Sequence, residues 1–304
     1  MKKRNVGALL CALVLSVGCM MAPVSLAAEP APTGKYPNIP HMSLGEYPKV
    51  DGSTAYIPLG MALMQAVTGC TPAEAESATV FSTTDISYQA LVGAEGFEKA
   101  DILLAGGASD ATKKEVVGYD QLQIESIGRD ALVFLVNEKN PVQSLTADQL
   151  RSIYAGKITN WKDVGGQDQP ILAFQRQEKS GSQTRMKKFM GDVKLAAPPE
   201  EMIMMEMRGL VDAIGGFDAS QNALGYSTYY YAHNMYELPG VKLLAVDGVM
   251  PSNETIQSGA YPYVSDFYCV LPKEPTSNAQ LLRDWLVSEE GQAFVAENGY
   301  VPVR

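Results

Sequence analysis

The sequence predicts an α/β fold, and three observations lead there. Short runs rich in branched and aromatic residues alternate with stretches of helical apolar spacing, the order expected when helices cover a sheet. Roughly 265 residues follow a proline-rich lead of small residues, enough for one large or two medium domains. Hydrophobic residues make up 46% of the chain, so a sizeable core can be buried.

The elements follow in order. Asp51-Gly52-Ser53-Thr54-Ala55 precedes a helix expected from about Pro58 to Val67, with proline suited to the first turn and Gly69 closing it. Phe81-Ser82-Thr83-Thr84-Asp85 precedes a second short helix through Tyr88 and Leu91. Strands are expected at 101–104, 131–136, 171–174, 241–244 and 267–271. Thr146-Ala147-Asp148-Gln149 is a capping box for a helix through Tyr154 that stops at Gly156. Ser180-Gly181-Ser182 opens a periodic stretch containing Met186, Phe189 and Met190. Tyr226, Tyr229, Tyr230 and Tyr231 suit a half-buried strand and the start of a helix. The last helix is expected from about Asn278 to Ala296, with Leu281, Leu282, Trp285, Leu286 and Phe294 on its apolar side. The chain shows no internal repeat.

The first residues form a targeting pattern. Met1-Lys2-Lys3-Arg4-Asn5 is basic, 6–17 is apolar, and Ala22 to Ala27 supplies small residues for cleavage after Ala27. The apolar run is shorter than the ~20 residues of a membrane span. Residues 1–27 therefore read as a signal peptide and 28–40 as a tether, giving an exported, extracytoplasmic product. Ser16-Val17-Gly18-Cys19 also approaches a bacterial lipobox, which makes Cys19 a candidate for lipidation and leaves both modes of processing open.

Composition narrows the function. The chain carries a net charge of −10, and loss of residues 1–27, which hold three bases and no acid, makes it more negative still. Such a field repels nucleic acid and anionic lipid, so nucleic acid is excluded as a partner. With only His41 and His233 and no clustered cysteines, no transition-metal centre and no other cofactor is expected. Beyond the leader only Cys70 and Cys269 remain, as either a disulfide or two buried thiols. No P-loop is present, and neither a metal cluster nor a serine beside a positioned base suggests an enzyme.

Anion chemistry remains, and it is local. The first N–H groups of a helix lack internal partners and carry partial positive charge. Glycine allows close approach to that backbone, serine and threonine add donors, and an arginine fork grips an oxyanion. Arg176 stands four residues before Ser180-Gly181-Ser182, and the same paired hydroxyls recur at Ser53-Thr54 and Ser82-Thr83. Convergence of these three helix starts makes a donor-rich pocket for one small anion.

Longer motifs carry a resemblance. Ile127-Gly128-Arg129-Asp130-Ala131-Leu132-Val133, Asn140-Pro141-Val142, the run from Leu145 to Leu150, and Gly156-Lys157-Ile158-Thr159-Asn160-Trp161-Lys162-Asp163-Val164-Gly165-Gly166 resemble the phosphate-binding lipoproteins of bacterial phosphate ABC transporters. The likeness extends through Ser180-Gly181-Ser182, Ala223-Leu224-Gly225-Tyr226-Ser227 and Glu289-Glu290-Gly291-Gln292. It implies a periplasmic-binding-protein-like fold of type II, with two α/β lobes joined by hinge strands and a ligand cleft between them. Lobe one is then expected at 41–127 plus 245–304, and lobe two at 128–244. The implied function is non-catalytic capture of inorganic phosphate by a monomer and its delivery to a membrane permease of an ABC transporter. Sulfate, molybdate or a small phosphoester as ligand, or a ligand-reporting sensory role, are the alternatives. The resemblance sets Ser53, Thr54, Ser82 and Thr83 against Arg176, Ser180, Gly181 and Ser182 across the cleft. It also implies an aspartate that accepts the phosphate proton, which fully ionised sulfate does not offer. Asp101 is the first candidate, with Asp85 and Asp110 as rivals.

Overall fold

The computed structural model describes residues 35–303, except 179, 206, 217–220 and 236–238. The expected signal peptide, Cys19 and most of the tether lie outside the described residues. Eleven strands are described: β1 (Val50–Gly52), β2 (Ile102–Gly106), β3 (Gln123–Asn137), β4 (Ser144–Leu145), β5 (Leu172–Ala173), β6 (Gln175–Arg176), β7 (Ile203–Met204), β8 (Ala223–Thr228), β9 (Val241–Leu243), β10 (Ala245–Val246) and β11 (Val264–Leu271). The helices are α1 (Ile57–Thr68), α2 (Pro72–Ala78), α3 (Thr84–Leu91), α4 (Asp110–Glu115), α5 (Ala147–Tyr154), α6 (Gly181–Met190), α7 (Met207–Gly215), α8 (Asn253–Gln257), α9 (Ser277–Leu286) and α10 (Glu289–Glu297).

The largest sheet has the order β1-β2-β11-β3-β8-β5, with β9 also on β3. The 15-residue strand β3 explains how two lobes share it. Residues 123–131 pair antiparallel with β11, and 132–137 pair with β8 and β9. Side chains alternate between sheet faces. In the first lobe Ile102, Leu104, Cys269 and Leu271 therefore face one core with Tyr56, Leu59, Leu63, Leu282 and Trp285. Leu103 and Val270 face the other way, onto Tyr88 and Leu91. Around the far half of β3 a separate core joins residues 132–136 to Leu150, Tyr154, Trp161, Met186, Phe189, Leu210 and Tyr226. The two-lobed α/β architecture is thus two sets of cores strung on β3 and β11.

Lobe boundaries differ from those expected. Leu244, Val246, Ile256 and Tyr261 pack into the second core, and β10 pairs with β4. The chain returns to the first lobe along β11, not at residue 245, because the apolar run 241–246 continues to pair within the second lobe. The tether also ends earlier than residue 40. The Tyr36 ring lies 5.8 Å from Trp285 and 5.5 Å from Phe294, and Ile39 is buried in the same core.

Local signals hold at most junctions. Gly69 closes α1 in the left-handed conformation at φ 70°, and the Thr146–Gln149 capping box opens α5. All four tyrosines between 226 and 231 are buried, beyond the half-burial expected. The single helix expected at 278–296 is two. Ser288 donates its hydroxyl to the Trp285 carbonyl at 2.6 Å and accepts from Gly291 N–H at 3.2 Å, so it ends α9 and caps α10. Leu281 faces solvent, outside the apolar stripe that Ala279, Leu282, Trp285 and Leu286 form on α9. Cys70 and Cys269 are free thiols in this structure, and burial pushes the Cys269 thiol well up. Among the described residues no helix is long and apolar enough to cross a membrane.

Candidate anion-binding site

Three helix starts meet where the lobes face each other. Strand β1 is held by its parallel partner β2, and Ser53 N–H donates to Leu104 O at 3.0 Å. This aims Ser53 and Thr54 outward at the short turn that leads into α1. Thr83 is the extended N-cap of α3, and its side chain caps nothing. Ser180 caps α6 through its hydroxyl, which accepts from Gln183 N–H at 3.2 Å, while Thr184 N–H starts the helical ladder on Ser180 O. The helix therefore presents its first amide groups, at Gly181 and Ser182, to the facing lobe. A methyl built on Gly181 would stand 2.5 Å from Thr84 Oγ1 and 3.9 Å from Ser53 Oγ. Helix α6 of the second lobe thus abuts both hydroxyl-bearing junctions of the first.

Between them is a cavity of about 30 Å³, lined by Ser53, Thr54, Thr83, Thr84, Arg176, Ser180, Gly181, Ser182, Arg185, Thr228 and Tyr231, with Ala55. This volume suits a compact ion, not a sugar or peptide. Its walls are donor-rich and incompletely paired. The hydroxyls of Thr83, Thr84 and Thr228 are buried without hydrogen-bond partners. Buried hydroxyls cost stability unless something bonds them, so three at one cavity suit a polar occupant, whether an anion or water.

Arg176 supplies charge and orientation. Its Nε donates to Met204 O and its Nη2 to Met205 O, each at 3.0 Å, fixing the guanidinium plane. Its backbone N–H donates to the Tyr226 hydroxyl at 2.9 Å, and that hydroxyl in turn donates to Gln183 on α6. Burial raises the Tyr226 phenol, which stays a neutral donor. A second guanidinium, Arg185, also reaches the cavity wall. Burial works against its charge, but Tyr56 and Asp130 outweigh that and raise its pKa above the ordinary arginine value.

Seven of the expected residues therefore share one cavity: Ser53, Thr54, Thr83, Arg176, Ser180, Gly181 and Ser182. Two do not. Ser82 donates its amide to Asp51 Oδ1 at 2.7 Å and its hydroxyl to Asp51 Oδ2 at 2.8 Å, so its polar groups are spent on the scaffold. Asp101 accepts Lys49 N–H at 2.9 Å and clamps the start of the β1–β2 pair. Neither rival replaces it. Asp85 accepts Ser109 N–H at 3.1 Å, and Asp110 is a solvent-exposed partner of Lys113. Among the described residues no carboxylate lines the cavity. Thr84, Arg185, Thr228 and Tyr231 are additions that the sequence did not mark. Of these Arg185 had a readable signal, since it lies four residues after Gly181 and so about one turn along the same helix.

The Asp51 carboxylate carries a structural prediction. It accepts from Gly52 N–H and from both donors of Ser82, and it is buried. Asp51→Ala leaves these donors unpaired, at a cost of about 1 to 3 kcal/mol. A lowered melting temperature in calorimetry is the expected result, and an unchanged one would contradict this bonding.

Comparison with known proteins agrees with this architecture. Residues 49–290 match a PBP superfamily domain. The phosphate-binding protein PstS of Bacillus subtilis is 31% identical over 203 residues, 65% of this chain and 64% of its own length. PstS of Borreliella burgdorferi is 28% identical over 235 residues, 73% of this chain and 81% of its own. Two solved structures share the fold. A Clostridium perfringens protein with bound phosphate has a TM-score of 0.62 at 24% identity, covering 84% of this chain and 98% of that one. An ABC-type phosphate transport receptor from Vibrio cholerae has a TM-score of 0.59 at 22% identity, covering 83% and 98%.

Proposed function

We propose that this chain, which belongs to the PBP superfamily, is an extracytoplasmic solute-binding protein that captures inorganic phosphate between its lobes and delivers it to an ABC permease. The observation that carries the reading is the small inter-lobe cavity, where three helix starts, unpartnered hydroxyls and a plane-fixed arginine converge. Both curated relatives described above are named phosphate-binding proteins. Ser53, Thr54, Thr83 and Thr84 bond the anion from one lobe, and Arg176, Ser180, Gly181 and Ser182 from the other. The protein works as a monomer and without catalysis: closing, opening and release are its whole cycle.

The cavity walls favour a second reading for selectivity. Asp101 stands elsewhere, so the feature that would reject sulfate is missing from the described walls. Hydroxyls both donate and accept, and they tolerate a protonated or a bare oxygen alike. A broader oxyanion binder is therefore the alternative. Calorimetric titration of the anion-stripped protein with phosphate, with sulfate as competitor, separates the two. Phosphate heat that sulfate does not displace supports the phosphate carrier. Equal displacement moves the chain to the broader class, and no heat from either anion removes the reading.

A further inference from the structure

We propose that Arg185 is a positioning residue that ties occupation of the cavity to closure of the lobes, by clamping the strands that cross between them. The inference rests on the anion-binding reading. Arg185 rides on α6, whose Met186 and Phe189 are in the core of the second lobe. Its guanidinium reaches elsewhere. Nε donates to Ser265 Oγ at 2.8 Å, Nη2 to the Tyr56 hydroxyl at 2.9 Å, and Nη1 lies 3.6 Å from Asp130 Oδ2. Ser265 and Asp130 are register partners on β11 and β3, where that pair passes from one lobe to the other. Tyr56 belongs to the first lobe, stacked on Phe267 with ring centroids 4.4 Å apart. One fork thus joins the cavity helix, the crossing strands and the opposite lobe, and the same residue lines the cavity.

The energetics favour closure. The Asp130 side chain is fully buried, and its Oδ2 has no hydrogen-bond partner. Its other oxygen is committed to the amides of Ala131 and Tyr230. Moving α6 away from the first lobe breaks the Tyr56 bond and draws the cation from a buried carboxylate, which is costly. Arg185 therefore biases the protein toward the closed state even before ligand arrives. An anion adds to that bias because only the closed state brings both sets of donors onto it. The register match of Asp130 and Ser265 supplies the anchor of the fork.

Three proteins test this: wild type, Arg185→Met, and the double variant Asp130→Asn/Arg185→Met, which also removes the stranded carboxylate. Small-angle scattering gives the radius of gyration with and without phosphate, and stopped-flow displacement gives the phosphate dissociation rate. Ligand-free Arg185→Met is expected to be more expanded than ligand-free wild type. Its phosphate dissociation is expected to be at least about tenfold faster, a loss of about 1.4 kcal/mol. The double variant is expected to regain the wild-type melting temperature while staying expanded and fast-releasing. Equal ligand-free radii for wild type and Arg185→Met overturn the clamp, and so does a double variant that regains compactness and slow release. Wild type that binds no phosphate removes the anion reading instead, and the ligand-free radii still decide the clamp.

Discussion

Arg176→Ala is expected to weaken phosphate binding by about 10- to 150-fold. The estimate follows from ~1.5 to 3 kcal/mol for a hydrogen bond to a charged group. The residue is buried, and its plane is set by the carbonyls of Met204 and Met205 before any ligand arrives, so its grip costs little reorganisation. The same geometry fixes the side effect. Removing the guanidinium takes one donor from each of those carbonyls, although Gln177 still bonds both, Met205 O through its side chain at 2.9 Å and Met204 O through its amide at 3.3 Å. A modest fall in melting temperature should accompany the loss of affinity, with native circular dichroism retained. Arg176→Lys separates the two roles, because it keeps a charge but not the planar fork. It should recover only part of the affinity. Calorimetric titration of all three proteins checks this, and wild-type affinity in Arg176→Ala would remove Arg176 from the site.

How much of this was readable in the sequence depends on how local each signal is. Helix caps are decided within four residues, so Ser180, the Thr146 box and Gly69 were legible. The order of lobes was legible through motifs that span most of the chain. That Thr84 lines the cavity and Ser82 does not was not legible. It turns on Asp51, which lies 31 residues upstream and draws Ser82 inward, leaving the next hydroxyls to face the cavity. Asp101 misled for a similar reason. A carboxylate beside a strand suits an anion site by spacing, but the neighbouring strand delivers the Lys49 amide onto it. Thr228 and Tyr231 reach the cavity only because β8 pairs with the far half of β3. The return crossing was misplaced because nothing in the run from 241 to 263 shows that its apolar residues pack on the second lobe. Contacts between residues distant in sequence set what short-range patterns could not.

Gly181→Ala is expected to cut anion affinity by roughly 5- to 150-fold without destabilising the fold, which is the sharper test of the site. The added methyl would stand 2.5 Å from Thr84 Oγ1, on a β-branched side chain with little room to turn. That contact crosses from one lobe to the other, so the strain falls on the closed state and not on either core. Overpacking of this kind costs about 1 to 3 kcal/mol, which an anion must then overcome to close the cleft. The fold itself has no reason to suffer. Gly181 begins α6 at a position without positive φ, where alanine is the better helix former by up to about 1 kcal/mol. The ligand-free variant relieves this contact by opening, so its melting temperature should change little while binding falls, a combination that general damage does not produce. Adding Thr84→Ala removes the opposing hydroxyl and should restore phosphate-driven compaction in scattering, with affinity recovered only in part because Thr84 is itself one of the donors proposed for the ligand. Full affinity in Gly181→Ala alone would mean that the ligand does not require these two lobes to close at this point.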